Sequence, residues 1–184
     1  MTDLTPISPL GAAAPRVDSL GSITITEVTN RALASVAQRK GGSVSAGFKT
    51  LGFAGAPDVC EMLEANGHRA WWMGPDQWLV DAEFDTSGTW AKAVKEAMGD
   101  AASITDQTEG FCRFDLSGPL CVDLLQRLCG LDSDQMQVGA AQRTQLHHMA
   151  CVVIKTEAGW SVLGAHSSAG SLHHALLEVA VGLH

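Results

Sequence analysis

The chain has 184 residues, 46% apolar and only 17% charged, with 12 basic against 20 acidic side chains and a net charge of −8. That length suits one domain or two small halves sharing a core. No Lys/Arg cluster occurs, which excludes an electrostatic footprint for nucleic acid, and the low charge density favours a chain that buries surface against partners.

The five cysteines (Cys60, Cys112, Cys121, Cys129 and Cys151) are odd in number and form no C-x-x-C pair. Four lie inside apolar runs, so reduced, buried thiols in a cytoplasmic protein are expected. The start, "MTDLTPISPL", has neither a basic n-region nor an apolar segment, unlike a secretory signal. Residues 158–177 lack Asp, Glu, Lys and Arg, but four serines and three histidines there argue against a membrane span.

Residues 1–20 hold three of the six prolines and no periodicity, and read as a flexible N-terminal arm; residues 21–184 read as a single domain. "SITITEV" predicts a strand, and "RALASVAQ" is strand or helix by periodicity. Residues 43–51 read as a short helix and 52–60 as loop. "HRAWWM" and "QWLVDAEF" flank Gly74-Pro75-Asp76, which is hairpin chemistry. Thr86 or Ser87 can cap a helix carrying Trp90, Val94, Ala97 and Met98, with Gly99 as its stop. "SITDQT" and "FCRFDLSG" follow as strands. Pro119 then opens a helix with the strongest periodic stripe in the chain: Leu120, Cys121, Leu124, Leu125, Leu128 and Cys129. "QRTQLHH", "ACVVIK" and "WSVLGA" read as strands, and a last helix starts near Ser168 or Ser171, carrying Leu172, Ala175, Leu176, Val179 and Leu183.

This order predicts an α+β duplication with halves over about 31–108 and 111–184. "WWMGPDQWLVDAEFDTSGTWAKAVKEA" lines up by pattern with "CVVIKTEAGWSVLGAHSSAGSLHHALL": an apolar strand, a Gly-containing turn, a Trp-led strand and a Ser-rich lead into a helix. The expected fold is the split βαβ, ferredoxin-like arrangement used twice.

No catalytic constellation emerges from the residues. "GSVSAGFKT" nearly spells a phosphate loop, but Phe48 between Gly47 and Lys49 moves the lysine out of the cradle. There is no G-x-G-x-x-G, no nucleophile elbow in "AHSSAGS", and no zinc-spaced Cys/His quartet. His147 and His148, read as strand residues, point to opposite faces and cannot chelate one metal together; His173 and His174 diverge on a helix. Cys121 and Cys129 lie two helical turns apart, too far for a mutual disulfide. A Cys151–His148 nucleophile pair would need an activated thiol, and "ACVVI" is a setting that raises its pKa. Asp106, Glu109 and Asp115 read as solvated acids.

Five stretches in order, "ISPLGAAAP", "AWWMGPDQWLV", "TDQTEGFCRFDLSGPLCVDLLQRLCGLD", "VGAAQRTQLHHMACVVI" and "GWSVLGAHSSAGSLHHALLEV", resemble the gamma subunit of heterotetrameric sarcosine oxidase. The likeness covers most of the chain and is weakest over residues 40–66. Its marks are the Trp-x-Gly-Pro-Asp-x-Trp-Leu turn, Asp106–Thr108 and Leu116–Pro119. The last of these also occurs in the wider aminomethyltransferase-like, folate-binding superfamily. The resemblance implies an aminomethyltransferase-like folate-binding-type domain with no catalytic group, inside a cytoplasmic complex that oxidatively demethylates sarcosine to glycine. It implies alpha, beta and delta subunits as partners, with FAD, FMN, NAD, tetrahydrofolate and zinc all on those other chains. Ser8, Pro9, Leu10, Trp71, Trp72 and His166 are the implied subunit contacts. The family usually shows an Arg-Ser-Phe-Ala-like segment where this chain has His166-Ser167-Ser168-Ala169, so the chain departs from the family pattern there. The alternatives are the gamma subunit of a related N-methyl amino acid dehydrogenase, or a free-standing folate-binding protein. In the latter, Asp106 or Asp115 would meet the pterin, and Arg113 or Arg143 the glutamate tail.

Overall fold

A computed structural model describes residues 7–84 and 88–183. Its elements in chain order are β1 (Val17–Leu20), β2 (Ile23–Glu27), β3 (Arg31–Gln38), α1 (Ser45–Thr50), β4 (Met62–Ala65), β5 (His68–Gly74), β6 (Gln77–Glu83), α2 (Trp90–Met98) and β7 (Ala102–Asp106). There follow β8 (Phe111–Ser117), α3 (Cys121–Leu128), β9 (Ala141–Leu146), β10 (Met149–Thr156), β11 (Gly159–Ala165) and α4 (Ala169–Val181). The capping positions expected at Thr86 and Ser87 lie outside the described residues; α2 begins after Thr89.

The chain divides into two compact units, one formed by Asn30–Glu109 with Gly139–Gln142 and the other by the remaining described residues. The first carries a five-stranded antiparallel sheet in the order β4-β5-β6-β3-β7. Alternate residues Ala34 and Val36 of β3 and Trp78 and Val80 of β6 join Phe48 of α1 and Val94 and Met98 of α2 in one buried cluster. Phe48 meets Trp78 and Phe53 edge-on, with centroids 5.7 and 6.0 Å apart, the geometry that ring quadrupoles favour. On β3, Ala32, Leu33, Ala34 and Val36 are all buried. Both faces of the strand are therefore apolar, which explains why its alternation is illegible.

The second unit carries a six-stranded sheet, β1-β2-β8-β11-β10-β9, with α3 and α4. Cys121, Leu124, Leu125 and Leu128 form the buried stripe of α3. On α4, Leu172, Ala175, Leu176 and Ala180 are buried, while Val179 is only half-buried. Gly164 of β11 lets α4 approach, since a Cβ there would stand 2.9 Å from Leu172 Cδ2.

Both units share one strand order. The first reads β5-β6-β3-β7, and the second reads β10-β11-β8-β2. Thus β2, from the N-terminal side, fills the place that β7 fills in the other unit. The second repeat therefore needs a strand that lies outside residues 111–184.

Residues 7–20 differ from the expected flexible arm. Val17–Leu20 is a strand paired residue for residue with β2. Glu27, 2% exposed, accepts the backbone N–H groups of Leu10 and Arg16, both at 2.9 Å. A buried carboxylate requires such donors, and two backbone amides supply them. Ser8 closes the segment, its N–H donating to the Ala12 carbonyl at 2.7 Å.

Asp18 of β1 accepts from Arg16 Nε at 2.9 Å and stands 2.8 Å from His173 Nε2 of α4. The Arg16 guanidinium, with His173 adding to it against a desolvation cost, holds the Asp18 carboxyl below its ordinary value of 3.8. A depressed carboxyl pKa contributes stability above the unfolded value, and this contribution is lost as pH falls through the folded value. Asp18→Asn should therefore lower the urea midpoint at pH 7, and its difference from the parent should shrink below pH 3.8. A difference that stays constant across that window would refute the assignment.

Candidate functional site

The Trp71–Val80 stretch invites a stacking site, but its aromatic rings serve packing. Trp72 and Trp78 lie directly opposite on β5 and β6. Between them, Pro75 presets the turn and Asp76 takes a left-handed φ of 57°. The turn is tied to β3 by the Gln38 N–H, which donates to the Asp76 carbonyl at 2.9 Å. Trp78 Nε1 donates to the Pro57 carbonyl at 2.9 Å, and Trp90 Nε1 to the Val80 carbonyl at 3.0 Å. Trp72 packs half-buried against the same cluster.

The expected contact residues occupy different settings. Trp71 is 0% exposed, so it is withdrawn from any outer contact surface. Ser8 is also buried, with its hydroxyl accepting the Ala12 N–H at 3.4 Å. Pro9 and Leu10 are half-buried in the loop that Glu27 holds, and half-buried His166 donates its backbone N–H to the Gly110 carbonyl at 3.0 Å before α4.

The acids proposed as ligand suppliers engage their own chain. Arg113 grips Asp115 through Nε at 2.8 Å and Nη2 at 3.1 Å, while the Ser161 hydroxyl donates to Asp115 Oδ1 at 2.6 Å. Asp106 Oδ1 accepts the Thr108 N–H at 2.9 Å, a local turn that turns the carboxylate back on its own loop. Arg143 is exposed.

Sequence reasoning missed a second ionic cluster. Asp81 of β6, 1% exposed, accepts Arg31 Nε at 3.1 Å and Arg31 Nη2 on its other oxygen, together with the Arg69 N–H at 3.0 Å. Arg31 and Asp81 are fifty residues apart, so no local pattern marks the pair.

No thiol is activated at the buried positions. Burial pushes Cys121 and Cys151 up to about 11, and raises Cys112 as well. Cys151 with His148 therefore offers no thiolate, and His148 lies exposed in a turn. That turn corrects the strand reading of "QRTQLHH": β9 ends at Leu146, so His147 and His148 do not alternate across a sheet. Among the described residues, no group of three His, Cys, Asp or Glu is placed to hold a metal ion.

A solved heterotetrameric sarcosine oxidase from Corynebacterium sp. U-96, in complex with pyrrole 2-carboxylate, contains a chain that superposes with a TM-score of 0.76. The match is 23% identical and covers 89% of this chain and 86% of that one. The glycine cleavage system aminomethyltransferase T from Bartonella henselae matches with a TM-score of 0.62 at 13% identity, over 82% of this chain but 44% of that one. The chain has the aminomethyltransferase-like fold. At these identities the likeness is one of architecture, matching the two antiparallel sheets and few helices. No family model and no curated protein matches the sequence. No helix among the described residues is long and apolar enough to cross a membrane.

Proposed function

We propose that this chain is a non-catalytic, assembly-supporting subunit of a sarcosine-oxidase-type complex, the gamma-like partner of alpha, beta and delta chains. The observation that carries this reading is the mutual coverage: the chain and its counterpart in the solved oxidase match over 89% and 86% of their lengths. By contrast, it spans less than half of the aminomethyltransferase. The engagement of Asp115 by Arg113 and Ser161, and of Asp81 by Arg31, supports the same reading, because groups that could hold a ligand already satisfy each other. A chain of this kind contributes surface complementarity. FAD, FMN, NAD, tetrahydrofolate and zinc belong to the partner chains in this reading, and the complex works in the cytoplasm on sarcosine.

Expressed alone, the chain should consume no oxygen with sarcosine and carry no flavin. Co-expressed with the other three subunits, it should co-purify in equal proportion, and leaving it out should reduce the yield of assembled oxidase. Micromolar binding of tetrahydrofolate by the isolated chain, measured by calorimetry, would overturn this reading and favour a free-standing folate-binding protein.

A further inference from the structure

The connection between β9 and β10 is two residues long, His147 and His148, and both adopt left-handed backbone (φ 44° and 71°). A two-residue hairpin with both φ positive is a type I′ turn, whose preferred residues are Asn-Gly. This chain uses that pair, Asn66-Gly67 with φ 54° and 75°, between β4 and β5. At the β9–β10 turn it places two imidazoles on exposed positions, where packing does not require them. Left-handed backbone at a non-glycine residue carries strain, and histidine is among the residues that tolerate it best.

The turn sets the two rings side by side, with centroids 5.6 Å apart and planes inclined at 56°. A metal ion held at about 2.0 Å by one nitrogen of each ring, at a tetrahedral angle, separates the centroids by about 5 Å. The electrostatic setting also favours a cation. The His147 N–H donates at 3.2 Å to the carbonyl of Leu128, the last residue of α3, so the turn sits at that helix's negative pole. The cation in the last turn of α3, Arg127, directs Nη1 to the Gly182 carbonyl at 3.2 Å.

We propose that His147 and His148 form a two-imidazole clip for a divalent transition-metal ion of the Cu(II), Ni(II) and Zn(II) class at the tip of this hairpin. Imidazole nitrogen suits these ions, whereas Mg²⁺ and Ca²⁺ seek oxygen ligands. Since no third His, Cys, Asp or Glu joins the pair among the described residues, water completes the coordination.

The test uses the full chain with Cu(II) as probe. Substoichiometric Cu(II) should broaden the ring NMR signals of His147 and His148 before those of His68, His173 or His174. Titration should give one equivalent bound at about micromolar Kd. The double variant His147→Asn/His148→Gly restores the favoured turn residues, so it should fold and melt slightly higher than the parent without metal. It should lose at least about tenfold in Cu(II) affinity, together with the metal-induced rise in melting temperature. Unchanged affinity in the folded double variant, or broadening that begins at other histidines, would overturn the proposal.

Discussion

Gly118→Ala is expected to lower stability by about 3 kcal/mol or more and to send much of the expressed chain to the insoluble fraction. Gly118 lies in the Leu-Ser-Gly-Pro link between β8 and α3, with φ 119°, a backbone conformation that L side chains rarely adopt. A Cβ there would collide with the carbonyl oxygen of Ser22, and would stand 2.9 Å from its carbonyl carbon and 3.2 Å from Ile23 Cα. Those atoms are backbone at the start of β2, which is paired along β8 from Thr24↔Ser117 onward, so no side-chain rotation relieves the clash. Gly170→Ala is the matched control. Gly170 is helical with nothing within 4 Å of its Cβ position, and alanine there should stabilise by roughly 0.5–1 kcal/mol. Urea unfolding of both variants decides the matter, and a Gly118→Ala loss below about 1 kcal/mol would contradict the close approach.

Asp81→Ala should cost about 3 kcal/mol, because removing one member of a buried ion pair leaves the other without its counter-charge. Asp81 is buried while Arg31 keeps 21% side-chain exposure, which places the loss at the low end for such pairs. The carboxylate also holds the Arg69 N–H and so ties β5 to β6 at a point where β3 pairs alongside. Asp81→Asn keeps an acceptor for that N–H and should lose less. If Asp81→Asn unfolds at the same urea concentration as the parent, the charge contributes nothing; if it unfolds with Asp81→Ala, the bond to the Arg69 N–H contributes nothing.

Where one side of an element is buried, the sequence shows it plainly, as in α3, whose stripe of Leu124, Leu125 and Leu128 is the buried face observed. Legibility falls where burial is two-sided, as on β3. It falls again where a strand sits at an edge: β4 has the pattern Met-Leu-Glu-Ala, and only the Asn66-Gly67 turn behind it signals a hairpin. Partners distant in sequence were invisible. Nothing near Glu27 in the sequence marks Leu10 and Arg16 as its donors, and nothing near Asp81 marks Arg31. The histidine pair was hidden for another reason: its turn lacks the Asn and Gly that mark one, so the residues read as strand and their rings as diverging.

The placing of β2 beside β8 has a consequence for how the chain is made on the ribosome. The unit built mainly from Asn30–Glu109 is nearly continuous in the chain, and most of it can close soon after its last strand emerges. The β1–β2 hairpin leaves the exit tunnel earlier, yet Ile23 and Ile25 find their sheet only when Phe111–Ser117 has been translated. Through that interval a short apolar hairpin waits with one edge open, the kind of segment that nascent-chain chaperones hold and that slows folding of non-local sheets. Pulse-labelled translation should therefore show residues 30–109 becoming protease-resistant before the β1–β2 hairpin, residues 17–27, does.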